Sequence, residues 1–210
     1  MKLSIKRAIY FSVIGLVLSM SSTALAEQDA KSALQAKLMQ LKSYIANFEQ
    51  TVTDANGEVL QQAKGQIIVQ QPQRLRWEVL PPDEGVLIAD GKTLWHVDPF
   101  VEQVIALDQS QAVNDHPIML LAEPNSALWR DYKVSYADGT YSVTPIKQPQ
   151  SVKQFQLMFN KADVLTGIEI LDQQDQRNQL QFRQIQSNAH IAKGVFEFSV
   201  PEGFELDDQR

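Results

Sequence analysis

The sequence predicts a mainly β protein, an antiparallel meander that curls into a barrel or half-barrel, preceded by one amphipathic helix. Three observations lead there. Short runs alternate apolar with polar residues, as in "RLRWEV", where Leu75, Trp77 and Val79 share one face and Arg74, Arg76 and Glu78 the other. The tight-turn dipeptides Asn56-Gly57, Asp90-Gly91 and Asp138-Gly139 each stand between two such runs. Only one stretch of any length keeps a helical period instead.

The chain opens with Lys2, Lys6 and Arg7, continues through a mostly apolar run over residues 8–20, and reaches Ala24-Leu25-Ala26, a small-x-small site of the kind a signal peptidase cuts. Residues 1–26 are therefore expected to be an export signal, because the apolar run falls short of the roughly 20 residues that span a bilayer. Residues 27–210 are then expected to form a single domain. Cysteine is absent, which removes disulfides and also the acylated cysteine that a bacterial lipoprotein carries after its signal. The signal contains three of the 19 basic residues and none of the 25 acidic ones, so the mature chain carries 16 positive against 25 negative side chains, a net −9. Such a chain is a poor partner for nucleic acid, whose phosphates are neutralised by Lys and Arg, and anionic lipid surfaces repel it weakly.

Within the mature chain, Leu34, Leu38, Leu41, Ile45 and Phe48 recur at alternating spacings of four and three, with Lys31, Gln35, Lys37 and Lys42 between them. One apolar stripe results, and it needs a surface to cover. Strand patterns follow at Ile67 and Val69, at Leu75 to Val79, at Phe155, Leu157 and Phe159, at Leu180 and Phe182, and at Phe196, Phe198 and Val200. About ten short strands joined mostly by hairpins make a meander.

"NDHPIMLLAEPN" breaks that rhythm. Asn114 or Asp115 is placed to cap a short helix, Pro117 suits its first turn, and Pro124 ends it. Ile118, Met119, Leu120, Leu121 and Ala122 make it apolar on nearly every side, so it cannot lie on the surface. Two readings remain open at this point: a permanent plug in the barrel mouth, or a lid over an apolar chamber. The Trp77 face of "RLRWEV" is open in the same way, since cavity linings and packed cores share one composition.

No motif for chemistry accompanies this pattern. The chain lacks G-x-S-x-G, H-E-x-x-H, a P-loop and a dinucleotide fingerprint. His96, His116 and His190 stand far apart and form no metal-ligand spacing. Asp83 and Glu84 follow Pro81-Pro82 in a turn, and Asp207-Asp208 reads as exposed charge. No catalytic residue, metal or cofactor is expected, and binding is favoured over catalysis.

Four stretches, "FEQTVTDANGEVLQQAKGQ", "RWEVLPPDEGVLIADGKTLWHVDPFVEQV", "DHPIMLLA" and "FEFSVPEGFELDDQR", resemble those of the periplasmic outer-membrane lipoprotein carriers, the LolA family, in the same order and at matching spacing. The likeness covers nearly all of residues 27–210, and its most specific piece is "DGKTLWHVDPFVEQ". It implies an unclosed antiparallel β-barrel covered by short helices that act as a lid, with an apolar cavity between them for the acyl chains of lipoproteins. The implied protein is a periplasmic monomer that receives lipoproteins from an ATP-driven inner-membrane transporter and delivers them to an outer-membrane acceptor, itself a lipoprotein. On this reading the cavity and lid residues are Leu38, Phe48, Leu75, Trp77, Val79, Ile118, Met119 and Leu121. A lipid-sensing periplasmic regulatory domain on the same half-barrel is the alternative.

The chain departs from the family pattern at one position. Members commonly carry Arg just before the proline ahead of the Trp strand, where it hydrogen-bonds lid carbonyls and latches the empty form shut; here that residue is Gln71. A glutamine amide donates hydrogen bonds without the charge that roughly doubles their strength. Gln71, Arg74 and Arg76 are the latch candidates.

Overall fold

The computed structural model describes residues 21–112, 116–147 and 151–210. Residues 1–20 of the expected signal and the two capping candidates, Asn114 and Asp115, lie outside the described residues. Helix α1, Ser21–Gln40, runs across the expected cleavage point after Ala26.

Among the described residues twelve strands follow, two more than the pattern suggested: β1 Ser43–Thr53, β2 Val59–Gln70, β3 Arg74–Val79, β4 Gly85–Ala89, β5 Thr93–Asp98, β6 Gln103–Asp108, β7 Tyr132–Ala137, β8 Thr140–Pro145, β9 Val152–Phe159, β10 Leu165–Asp172, β11 Arg177–Ser187 and β12 Glu205–Asp208. They form one sheet in the order β12-β6-β5-β4-β3-β2-β1-β11-β10-β9-β8-β7. The ends, β12 and β7, do not pair, so the sheet stays unclosed. The three turn dipeptides link β1 to β2, β4 to β5 and β7 to β8. Asp138 and Gly139, at φ 50° and 82°, supply the two left-handed residues that the two-residue β7–β8 hairpin requires.

Three expectations need correcting. The stripe from Leu34 to Phe48 is not one helix: α1 stops at Gln40 and β1 begins at Ser43. Leu34, Leu38 and Leu41 keep the helical spacing, but beyond them Tyr44, Ala46 and Phe48 are the buried residues, a period of two, and Ile45 turns to the other face. The two periods coincide at Phe48, and pairing of β1 with β2 and β11 overrides the helical one. The second correction is that Phe196, Phe198 and Val200 alternate without forming a strand. Residues 193–196 form a turn and the chain after it, without strand pairing, lies on the outer face of the sheet, where Phe198 packs against Trp95 with ring centroids 5.2 Å apart. Lastly, the meander is not wholly antiparallel, since β12 returns parallel to β6.

The inner face of the sheet holds the core. Tyr44, Phe48, Ile67, Val69, Leu75 and Leu94 from one half join Val134, Phe155, Leu157 and Leu180 from the other in a single buried cluster. Leu34 and Leu38 of α1 complete it together with the 3-10 helix Pro117–Leu121, all five residues of which are buried. A second 3-10 helix, Ala127–Asp131, was not foreseen, and it buries Trp129 in the same cluster.

Candidate functional site

The inner face of β1–β3 presents Phe48, Leu75, Trp77 and Val79, because each occupies the inward register position of its strand. Phe48 and Trp77 stack with ring centroids 4.4 Å apart. Gly65, paired with Phe48 across β1–β2, makes room for this: a Cβ there would overlap the Phe48 ring and the Glu78 carbonyl. Leu38, Phe48, Leu75, Ile118, Met119 and Leu121 are buried, whereas Trp77 and Val79 are half-buried and pack against the cluster at its rim. All eight residues singled out in the sequence therefore meet in one apolar body, filled in this form by the helical segments.

Those segments are tied down through the β2–β3 turn. The Gln71 carboxamide donates to the carbonyl oxygens of Leu38, at 2.7 Å, and Leu121, at 3.4 Å, so a single side chain caps the ends of both α1 and the 3-10 helix. A carbonyl at a helix C-terminus lacks an intrahelical partner, which makes it a good acceptor. The backbone N–H of Gln73 donates to Ala122 at 3.1 Å. Behind the turn, buried Gln109 donates to the Gln73 carbonyl at 2.8 Å and accepts from Gly91 N–H at 2.9 Å. The helical segments are also tied to each other, Gln35 donating to Pro124 at 2.8 Å and Lys31 to Trp129 at 3.1 Å.

Arg74 and Arg76 point the other way. Arg74 is exposed and shares an outer-face cleft with Phe196 and Phe198, while Arg76 pairs with Glu78 at 2.9 Å on that face. Sequence reasoning missed Gln73 and Gln109. A backbone donor leaves no side-chain signal, and one glutamine in "LDQSQA" looks like any other.

At the rim of the apolar body, a cleft of about 290 Å³ opens between β3–β5 on one side and His116, Pro117, Ile118 and the starts of β9 and β11 on the other. Its walls include Trp77, Val79, Leu87 and Ile170, and its polar side chains are those of His96, His116 and Asn178. A larger groove of about 910 Å³ runs along β7 beneath the start of α1, lined by Ala30, Val134, Tyr136 and Tyr141 among others.

Deep in the interior, the Tyr44 hydroxyl donates to the Leu165 carbonyl at 2.7 Å. Burial pushes its phenol far above the ordinary range.

Comparison with known proteins gives a consistent picture. The model of the family described as outer membrane lipoprotein carrier protein LolA matches residues 39–199. An outer-membrane lipoprotein carrier protein of Actinobacillus succinogenes is 40% identical over 87% of this chain and 87% of its own length. One from Pasteurella multocida is 38% identical over 93% of this chain and 94% of its own. Among solved structures, an uncharacterized conserved protein from Thermus thermophilus shares the fold, with a TM-score of 0.50 at 11% identity over 84% of this chain and 99% of its own.

Proposed function

Because the chain belongs to the LolA family of outer-membrane lipoprotein carriers, we propose that it is a periplasmic carrier whose sheet takes lipoprotein acyl chains in place of α1 and the 3-10 helix Pro117–Leu121. It collects these lipoproteins from an ATP-driven transporter of the inner membrane and passes them to an outer-membrane acceptor, working as a monomer cut after Ala26. The observation that carries the reading is Gln71. An ordinary core is sealed by side-chain packing, yet here one amide in a sheet turn holds the carbonyls of two separate helical segments that close the apolar interior.

The physics requires such an arrangement. Each buried methylene is worth about 0.8 kcal/mol, so one 16-carbon chain in water costs on the order of 12 kcal/mol. A rigid, empty cavity recovering the full value for three chains would pass the ceiling of roughly 18 to 21 kcal/mol for non-covalent affinity and never release its load. A chamber already filled by its own lid avoids this. Acyl chains displace Leu38, Ile118, Met119 and Leu121, which lose their partners, and the net affinity falls by the cost of opening.

The test is release from the inner membrane. Added to spheroplasts that make radiolabelled lipoproteins, the purified protein spanning residues 27–210 is expected to bring them into the supernatant as soluble complexes of one carrier and one lipoprotein. Lipoproteins that stay in the membrane at any carrier concentration would overturn the proposal.

A further inference from the structure

We infer that the rim cleft selects the head of the lipid, accepting the uncharged ester and amide head of an acylated cysteine and rejecting the phosphate of a phospholipid with the same chains. The inference rests on the carrier reading above and deepens it. A carrier that met phospholipids in either membrane would be saturated by them if it recognised acyl chains alone, because the apolar energy per methylene does not depend on the head.

The lining of the cleft supplies a discriminating chemistry. Its apolar wall is continuous with the interior through Trp77 and Ile118, so chains entering the interior leave their head at this rim. The polar side chains there are an imidazole on β5, a second imidazole just before the 3-10 helix, and the Asn178 carboxamide on β11. Gln50 donates to the Asn178 oxygen at 3.0 Å, which fixes that amide in place. Imidazole and carboxamide groups hydrogen-bond ester and amide carbonyls without a net charge.

None of the described residues lining the cleft is Lys, Arg, Asp or Glu. The neighbouring stretches 113–115 and 148–150, outside the described residues, contain no Lys or Arg in their sequence. A phosphate brought to this rim thus loses water and gains no cation, which is unfavourable. The net −9 of the mature chain repels it further.

The test compares two lipids that differ only in the head, 1,2-dioctanoylglycerol and 1,2-dioctanoyl phosphatidate, titrated as monomers into the protein at pH 8 by calorimetry. The neutral diester is expected to bind at least tenfold more tightly. His96→Lys, at an exposed position on β5, is expected to raise phosphatidate affinity at least tenfold, with a thermal melt verifying the fold. Asn178→Lys provides the same test from the opposite wall should the first variant not fold. Equal affinity of the wild type for the two lipids, or no gain for phosphatidate in a folded lysine variant, would overturn head selection while leaving the carrier reading intact. If neither lipid binds, the carrier reading fails and head selection with it.

Discussion

Gln71 shows how much rests on a single side chain. Its two hydrogen bonds are neutral, worth about 0.5 to 1.5 kcal/mol each at normal geometry, and the longer one less. Gln71→Ala should therefore lower the melting temperature of the empty protein and raise its affinity for an environment-sensitive fatty-acid probe roughly fivefold, because about 1 kcal/mol less holds the lid shut. Gln71→Arg should do the reverse, since a charged donor beside the α1 C-terminus makes stronger bonds. Arg74→Leu and Arg76→Leu should leave probe affinity unchanged, because both side chains lie on the outer face. An effect of the arginines equal to that of Gln71 would refute this assignment. Tyr44 gives a pH signature. Burial raises its folded pKa above the unfolded value of about 10, so the stability it contributes is complete below pH 10 and declines as pH rises beyond that, when only the unfolded chain ionises. Tyr44→Phe should flatten this alkaline loss in urea melts between pH 9 and 11. At neutral pH it should cost about 1 kcal/mol for the lost bond to Leu165.

At the level of elements, the β3 strand and the segment Pro117–Leu121 were legible because each announces its environment in a short window: alternation for one, unbroken apolarity after a proline for the other. The boundary between α1 and β1 was not. The 3,4 spacing continues through Ile45 and Phe48, both apolar, whichever period the backbone takes, and β11, which with β2 fixes β1 as a strand, lies more than 120 residues away. Phe196 and Phe198 misled for a related reason, since two apolar residues two apart face one surface from a turn and the unpaired chain after it as readily as from a strand. The helix of Ala127–Asp131 is too short for any period to register, although Trp129 in it is almost wholly buried. The lid can be tested as an element with Leu75→Glu. Leu75 is fully buried beneath the lid, and a carboxylate there can be hydrated only if the lid lifts. The expected outcome is a far-UV circular dichroism spectrum with its strand signal intact and a probe affinity at least tenfold weaker, as the charge occupies the apolar floor. Loss of the strand signal would mean that the interior is a fixed core.

For the whole molecule, an unclosed sheet, a lid that doubles as its core, and a few polar ties between them, those of the β2–β3 turn foremost, make a container whose empty form is folded and self-sealed. The sheet and the lid differ in how they are held. Strands β1 and β2 are paired along their full length, whereas the lid is attached to the sheet's β2–β3 turn through Gln71 and Gln73, to the β9–β10 turn through the exposed ion pair of Lys37 with Asp163, and otherwise by apolar packing. Loading should uncouple them, and backbone hydrogen exchange with and without a triacylated lipopeptide reads this directly. The amides of Leu41, Gln73 and Ala122, which close on Leu38, Ala122 and Met119, should lose protection at least tenfold when the lipopeptide binds, while those of the β1–β2 ladder keep theirs. Binding of the lipopeptide with the lid amides as protected as before would contradict the claim that acyl chains take the place of the lid.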